Sequence, residues 1–469
     1  MNLHNIAIVA HVDHGKTTLV DCLMRQSGAF RDNQKVQEQA LDSGELERER
    51  GITILAKCTS VEWQGSRINI VDTPGHADFG GEVERILSMV DGCLLLVDAA
   101  EGPMPQTKFV LSKVLARGLH PIVVINKVDR SDARPDEVLN EIFDLFAALD
   151  ADDKQLDFPV LYGSSKQGWV ATEPDGPRES LEPLYKLILS HVPTPDVEID
   201  APFRMLATTL ESDAYLGPLL TVLIVSGRVR QNELFKALSR DGTKIEDTRI
   251  TKILAYRGLE RTPLEEAVAG DIVALAGFQK ASVADTLCAT EVTQALEAQP
   301  IDPPTLAVTF SINDSPYAGQ EGDKVTSRMI RARLMREAEG NVAITVREAP
   351  EGAGYEVAGR GELQLGVVIE TMRREGYEMS ISRPRVVYRT DPDTGQKLEP
   401  IEEVVIDVDE EHAGVVVEKL GARRGELTEL RPSGGGKQRL VFHAPARALI
   451  GYHGEFLTDT RGTGVMNRR

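Results

Sequence analysis

The apolar residues of this chain fall into two rhythms. Toward the amino terminus they gather in short runs, Ile6 to Val9, Ile68 to Val71, Ile122 to Ile125 and Phe158 to Tyr162. Runs this short and this apolar predict buried strands. Leu19, Leu23 and Met24 recur instead at helical spacing, and Ser27-Gly28 is placed to close that helix. Strands alternating with helices predict an α/β domain. It ends near a helix over Leu181 to Ser190, followed by the linker Val192-Pro193-Thr194-Pro195-Asp196.

Beyond residue 200 the rhythm changes. Phe203 to Thr208, Leu219 to Val225, Thr251 to Ala255 and Ile272 to Ala276 recur as short apolar runs separated by Gly-containing turns, which predicts a β-barrel. A proline-rich joint, Pro300 to Pro304, opens a third pattern. It predicts a strand (Leu306 to Ile312), a helix (Asp323 to Glu339), two strands (Val342 to Val346, Tyr355 to Ala358), a helix (Glu362 to Arg374) and a strand (Tyr377 to Ser382). That order is the split βαβ, ferredoxin-like unit. After Pro384 and the turn Asp391 to Gly395 it recurs, with strand Glu403 to Val408, helix Ala413 to Leu420, strands Gly425 to Arg431 and Gln438 to His443, helix Ala446 to Leu457, and a last strand from Gly464 that the chain end interrupts. The expected fold is therefore multidomain: an α/β P-loop domain (1–196), a β-barrel (200–297) and two α+β ferredoxin-like domains (302–384 and 398–469).

Chemistry enters at the ends of the first strands. After Ile6 to Val9 come Ala10-His11-Val12-Asp13-His14-Gly15-Lys16-Thr17-Thr18, at a strand-to-helix turn. Backbone N–H groups from Asp13 to Thr18 there can face nucleotide phosphates, Lys16 the β and γ phosphates, and the Thr17 hydroxyl a Mg²⁺ ion. The usual first glycine of such a loop is Ala10 here, which serves if its φ is negative.

Three further motifs follow in order. Asp72-Thr73-Pro74-Gly75 ends the strand Ile68 to Val71, with Asp72 placed to hold a Mg²⁺-bound water and Gly75 to turn its N–H to the γ phosphate. Asn126-Lys127-Val128-Asp129 ends the strand Ile122 to Ile125, and the Asp129 carboxylate can accept from guanine N1 and N2, a donor pair that adenine lacks. Ser164-Ser165-Lys166 follows the strand Phe158 to Tyr162, where a main-chain N–H can back the guanine O6. Each motif alone occurs in ordinary loops; the four in this order and at strand ends predict a site for GTP and GDP with Mg²⁺. The polar stretch Glu47 to Ile54 lies between the first two motifs and reads as a switch segment, with Thr53 a Mg²⁺ ligand when the γ phosphate is present.

Glu49-Arg50-Gly51-Ile52-Thr53-Ile54 taken with Gly75-His76-Ala77-Asp78-Phe79 resembles the translational GTPases. The resemblance implies that His76 orients the attacking water, a role other GTPases give to glutamine, and that Val12 and Ile52 form an apolar gate beside it. Tyr215-Leu216-Gly217-Pro218 through Val229 resembles the second-domain barrel of translation factors. Two ferredoxin-like units after a barrel resemble elongation factor G, without the large domain which that factor inserts between them. LepA and BipA/TypA share this reduced plan. The wording of the first motif, of Glu49 to Lys57 and of Ala448-Leu449-Ile450-Gly451-Tyr452 resembles the BipA/TypA family, whose members carry a further basic C-terminal domain. The resemblance implies a cytoplasmic GTPase stimulated by the ribosome, bound to rRNA and ribosomal proteins near the factor-binding site, and acting in ribosome assembly or translation under stress. Alternatives left open are a LepA-like factor and a GTP-loaded scaffold with negligible turnover.

Charge refines the partner. The 469 residues carry a net charge of −20, which argues against a polycation that coats nucleic acid. No DNA or membrane partner is expected, and a monomer is. Residues 301–469 hold 23 basic and 27 acidic side chains, so most of the negative charge lies before them. RNA contact is expected from Arg423, Arg424, Arg431, Lys437, Arg439 and Arg447, with Arg328, Arg331 and Arg333 adding to it. Cys22, Cys58, Cys93 and Cys288 have no metal-like spacing and read as reduced thiols.

Overall fold

A computed structural model describes residues 2–468 except 12, 29–44, 51–55, 75–79, 214, 259, 299–302, 351, 353, 392–393 and 433–435. The chain divides into two compact units, Met1–Pro300 and Ile301–Arg469.

The first unit opens with β1 (Asn2–Ala10), α1 (Lys16–Gln26), α2 (Glu45–Arg50), β2 (Lys57–Trp63), β3 (Ser66–Asp72), α3 (Gly80–Leu87), β4 (Gly92–Asp98), α4 (Pro105–Ala116), β5 (Pro121–Asn126), α5 (Pro135–Ala148), α6 (Asp153–Leu156), β6 (Val160–Ser164), β7 (Trp169–Ala171) and α7 (Glu182–His191). These strands make one sheet in the order β2-β3-β1-β4-β5-β6-β7, parallel from β3 to β6 and antiparallel at both edges. Both faces are covered, which is why the strands read as apolar runs. Ile6, Ile8, Leu94, Leu96, Ile122 and Val124 pack with Leu19 and Leu23 of α1 and with Tyr185 of α7, while the residues between them, among them Ala7, Val9, Leu95 and Val123, pack against α3 to α5. Glu45–Arg50 is helical although its run of charged residues carries no apolar period, and the Lys57 ammonium ties that helix to β2 through Glu47 at 2.6 Å.

The barrel follows as β8 (Arg204–Asp213), β9 (Gly217–Ser226), β10 (Arg228–Arg230), β11 (Leu234–Leu238), β12 (Lys244–Arg249), β13 (Lys252–Arg257), β14 (Glu260–Leu264), β15 (Glu266–Val268), β16 (Ile272–Ala276) and β17 (Thr286–Ala289). Eight of them form the antiparallel sheet β12-β11-β17-β8-β9-β16-β13-β14 around Met205, Leu220, Val222, Ile253 and Leu287. It is joined to the α/β sheet at two places. Ser60 of β2 bridges Gly258, and its hydroxyl donates to the Tyr256 carbonyl at 2.6 Å. A buried polar group closes the second joint: Asn69 donates to Asn5 at 2.9 Å and to Asp271 at 3.2 Å, Asn5 donates to the Gly270 carbonyl at 3.1 Å, and Arg67 pairs with Asp271 at 3.3 Å.

The second unit holds β18 (Leu306–Ile312), α8 (Ser327–Gly340), β19 (Thr345–Glu348), β20 (Tyr355–Gly359), α9 (Glu362–Arg374) and β21 (Met379–Ile381). After the short strands β22 (Arg385–Val386), β23 (Arg389–Thr390) and β24 (Lys397–Leu398) come β25 (Ile401–Asp409), α10 (Glu410–Ala422), β26 (Glu426–Pro432), β27 (Lys437–Pro445), α11 (Ala446–Leu449), α12 (Tyr452–Asp459) and β28 (Val465–Arg468). Both sheets show the same order, second strand, third, first, fourth: β19-β20-β18-β21 and β26-β27-β25-β28. The fourth strand of the second copy is therefore in place, β28 pairing with Val404 to Asp407. One expected helix is two, because Gly451 takes φ 72, the left-handed region, and separates α11 from α12. The copies share packing: Ala446 and Ile450 enter the core of the first copy beside Leu306 and Phe310, and the Gly451 N–H donates to Glu362 at 3.1 Å.

Candidate nucleotide-binding site

The carboxyl ends of β1, β3, β4, β5 and β6 bring the expected motifs to one edge of the α/β sheet, where ligands of open parallel sheets bind. Asp13 and Gly15 both have positive φ, 63° and 96°, so the loop coils before α1 and presents its N–H groups toward the helix axis. A Cβ on Gly15 would lie 2.5 Å from Nδ2 of Asn126, a distance no side chain tolerates. Glycine is required there twice over.

Asn126 organises the site. Its Nδ2 donates to the His14 carbonyl at 2.7 Å, and its Oδ1 accepts from the Ser165 N–H at 2.8 Å and the Ser165 hydroxyl at 3.0 Å. One buried amide thus joins the first, third and fourth motifs. The Gly168 and Gln167 N–H groups go to the carbonyl and hydroxyl of Ser164. Among the described residues this leaves the Lys166 N–H as the loop donor without an acceptor. From the other side α1 grips the same loop, Cys22 donating to the Ser165 carbonyl at 3.0 Å and Gln26 to the Gly168 carbonyl at 2.6 Å. Asp129 is exposed at the rim, within reach of Gln167 at 3.4 Å, and the Val128 N–H is bonded to the Gly163 carbonyl.

At the start of α1, Lys16 ion-pairs with the buried Asp72 at 2.6 Å and donates to the Thr73 carbonyl at 2.9 Å. The Thr73 hydroxyl is fixed to the Ile8 carbonyl at 2.9 Å, which locks the turn after β3 onto β1. Thr17 and Thr18 stand in the first turn of α1. Val12, Ile52, Thr53, Gly75 and His76 lie outside the described residues.

A buried group beneath the loop escaped the sequence reading. Asp98, fully buried at the end of β4, takes Lys127 at 2.8 Å and Arg130 at 3.2 Å and accepts from the Ala100 N–H at 2.7 Å. Burial raises its pKa, but these donors outweigh it and hold the carboxylate below its usual range. Its place at a strand end, like that of Asp72 and Asn126, was the available signal. His14 is fully buried next to it, with its pKa driven down to about 4 by desolvation, and His11 is pushed to about 4 by burial and by its neighbour, whose ring it meets edge-on at 5.3 Å. Both rings are neutral at pH 7, so the 3.5 Å approach of Glu101 to His14 is no ion pair.

Three stretches match known domain families: residues 1–194 the elongation factor Tu GTP binding domain, 202–290 elongation factor G domain 2, and 396–469 the elongation factor G C-terminus. Over 464 residues the chain is 50% identical to the large ribosomal subunit assembly factor BipA of Escherichia coli K12, covering 99% of this chain and 76% of that protein. The same protein of Haemophilus influenzae is 51% identical over 99% of this chain and 75% of its own length. The chain belongs to the BipA family. It is a translational GTPase, and its site takes a guanine nucleotide. Membership in the BipA family decides between the two families that share the reduced domain plan. A crystal structure of a Thermus thermophilus protein overlays 100% of this chain and 96% of its own with a TM-score of 0.70; at 16% identity it speaks for the fold alone. Among the described residues no helix is long and apolar enough to cross a membrane.

The basic residues expected to meet RNA separate into two kinds. Arg439 is buried and bidentate with Asp407 at 3.0 and 3.1 Å, so it holds β27 to β25 and is withdrawn as an RNA contact. Arg333 is engaged by Glu375 and Glu337, Arg447 by Glu399, Arg431 by Glu429, and Arg423 by Glu455 and the face of Tyr452. Arg424, Lys437, Arg328 and Arg331 carry no ion pair among the described residues, and neither does Arg336. Arg328, Arg331 and Arg336 are all exposed on α8.

Proposed function

We propose that this chain binds GTP with Mg²⁺, docks on the ribosome, and hydrolyses GTP there in the service of large-subunit assembly, with the work divided among 1–196, 200–297, 302–384 and 398–469. The observation that carries the reading is the alignment with large ribosomal subunit assembly factors across 99% of the chain. The Asn126 linkage adds support, since it sets three guanine-nucleotide motifs in one frame. In this reading the loop from Asp13 to Thr18 cradles phosphates, Asp129 reads guanine N1 and N2, Lys127 and Val128 hold that turn, and Lys166 turns its N–H to O6. Thr17, Thr53 and Asp72 would supply the oxygen donors for Mg²⁺, Asp72 through a bound water. The Thr17 hydroxyl at the start of α1 and the buried Asp72 carboxylate at the end of β3 suit that hard cation. The ion would neutralise charge on the β and γ phosphates. Gly75 senses the γ phosphate, His76 orients the attacking water, and Val12 with Ile52 forms the apolar gate beside it.

Arg328, Arg331 and Arg336, exposed on one helix of an acidic protein and without an ion pair among the described residues, suit a phosphate backbone. The chain works in the cytoplasm as a monomer, without DNA or membrane partners. Single-turnover hydrolysis of radiolabelled GTP with and without large ribosomal subunits tests the proposal. Stimulation by about tenfold or more is expected. Binding without stimulation would make the protein a GTP-loaded scaffold.

A further inference from the structure

Asp129 carries the reading of guanine, yet it sits exposed at the rim, and among the described residues its carboxylate takes no hydrogen bond from its own turn. A carboxylate that must accept two donors from one base edge gains from being held in the plane of that edge before the base arrives, since each freely rotating bond frozen on binding weakens it. The side chain of Gln167 reaches it. Nε2 of Gln167 lies 3.4 Å from Oδ2 of Asp129, a long hydrogen bond, and Oε1 of the same amide accepts from the Trp169 indole at 2.8 Å.

The second contact decides the orientation of the first. An indole N–H only donates, so it must meet the amide oxygen, and the NH₂ end is thereby turned to the carboxylate. The anchor is enclosed: Trp169 is 2% exposed on β7, with the Arg178 guanidinium lying 5.1 Å from its ring. The backbone beneath Gln167 is fixed as well, through its N–H to the Ser164 hydroxyl at 3.3 Å and through Gly168 bound to Gln26 of α1. Gln167 is thus an exposed side chain with a determined direction.

We infer that Gln167, anchored by Trp169, is a positioning residue that aligns the Asp129 carboxylate for the guanine N1 and N2 donors. The inference rests on the reading of Asp129 as the guanine-recognition residue. Gln167 does not meet the reacting phosphates. Its contribution is to discrimination between bases, and it should be largest for a base that offers both donors.

The test compares GDP with inosine diphosphate, which keeps N1–H and lacks the N2 amine. Affinities are measured by fluorescence titration with ribose-labelled nucleotides on the full chain. Gln167→Ala should weaken GDP by about fivefold, the effect of one hydrogen bond's worth of alignment, and inosine diphosphate by less, so that the ratio of the two dissociation constants falls by about threefold. Trp169→Phe keeps an aromatic ring beneath Arg178, removes the indole N–H together with the five-membered part of the ring system, and should lower the same ratio. A loss of loop structure would weaken both nucleotides alike and leave the ratio where it was. Asp129→Asn is the control for the underlying reading, because an amide there should exchange guanine for xanthine. If that exchange occurs while Gln167→Ala keeps the wild-type ratio, the positioning role is wrong; if the exchange fails, the assignment of Asp129 itself is wrong.

Discussion

The Asn126 amide donates to the main-chain carbonyl of His14 at 2.7 Å, across 112 residues of sequence. The bond ties the loop before α1 to the turn after β5, the two loops proposed to hold the phosphates and to read the base. Asn126→Ala would leave the His14 carbonyl and the Ser165 N–H buried without it, at roughly 1–3 kcal/mol for each unsatisfied group. GDP affinity should fall at least about tenfold, with the first unit still folded by circular dichroism. Gly15→Ala attacks the same contact from the other side, because its Cβ would enter the 2.5 Å space against Nδ2 at a φ of 96°. It should abolish measurable GDP binding in the same titration. Retained micromolar affinity in Gly15→Ala would mean that this loop does not hold the phosphates.

His76 is expected to act on water and not on the bound nucleotide. His76→Ala should lower ribosome-stimulated turnover by about 10² while the GTP dissociation constant moves by less than about threefold, the pattern of a group that works only in the transition state. Quench-flow hydrolysis alongside nucleotide titration separates the two effects. Unaltered turnover would move the role to another residue.

The sorting of arginines predicts two different phenotypes. Replacing Arg328, Arg331 and Arg336 by Ala should flatten the salt dependence of ribosome co-sedimentation by roughly one unit of log–log slope for each phosphate no longer neutralised. Stability should be unaffected, since these side chains pair with nothing among the described residues. Arg439→Ala should do the reverse, leaving the Asp407 carboxylate buried without its partner and destabilising the second unit by about 3–5 kcal/mol. Thermal melts and the salt series, run on both variants, read the two outcomes.

The pH dependence has two opposing sources. Burial holds His11 and His14 near 4, so the folded chain does not take the protons that the unfolded histidines bind near 6.5. Their contribution to stability is complete above about pH 6.5 and is lost as the pH falls toward 4. Glu82 has the reverse sign. Its Oε2 is buried with no hydrogen bond among the described residues, and burial raises its pKa from 4.5 to about 7, against the pull of Arg85. Its contribution is complete below about pH 4.5 and lost as the pH rises through 7. The stability gained by Glu82→Gln should therefore be greater at pH 8 than at pH 4.5, by on the order of 1 kcal/mol. Equal gains at the two pH values would show that Glu82 ionises freely in the folded protein. Ring resonances of His11 and His14 should stay at their neutral positions until the pH nears 4.

What the sequence disclosed follows the range of the interactions. Strands such as Ile122 to Ile125 and the ferredoxin-like order were legible because burial on both faces, and the alternation of periods, are written within a few adjacent residues. The loops around Gly15 and after Asn126 were legible because their backbone geometry, with positive φ at Gly15 and Lys127, demands particular residues in a row. Arg439 was misread because its partner Asp407 is 32 residues away on the neighbouring strand, and only the register of β25 with β27 brings them together. The break at Gly451 was missed for a related reason. Its left-handed turn is fixed partly by Glu362, 89 residues earlier, which takes its N–H. Asp98 and Gln167 escaped notice because their partners come from other loops.

The shared packing of the two ferredoxin-like copies has a consequence for the order in which the chain is made. Ala446 and Ile450 complete an apolar core whose other members, from Leu306 to Val386, are synthesised first. Translation is vectorial, and domains usually close as they emerge. The first copy is therefore expected to keep its core open until roughly sixty further residues have left the exit tunnel. Nascent chains stalled at residue 430 should expose residues 306–386 to protease, and chains released at full length should protect them. Equal protection at both points would mean that the earlier copy closes unaided. A protein whose relatives are named for assembling the ribosome would then depend, in its own birth, on how long that machine keeps the second copy inside.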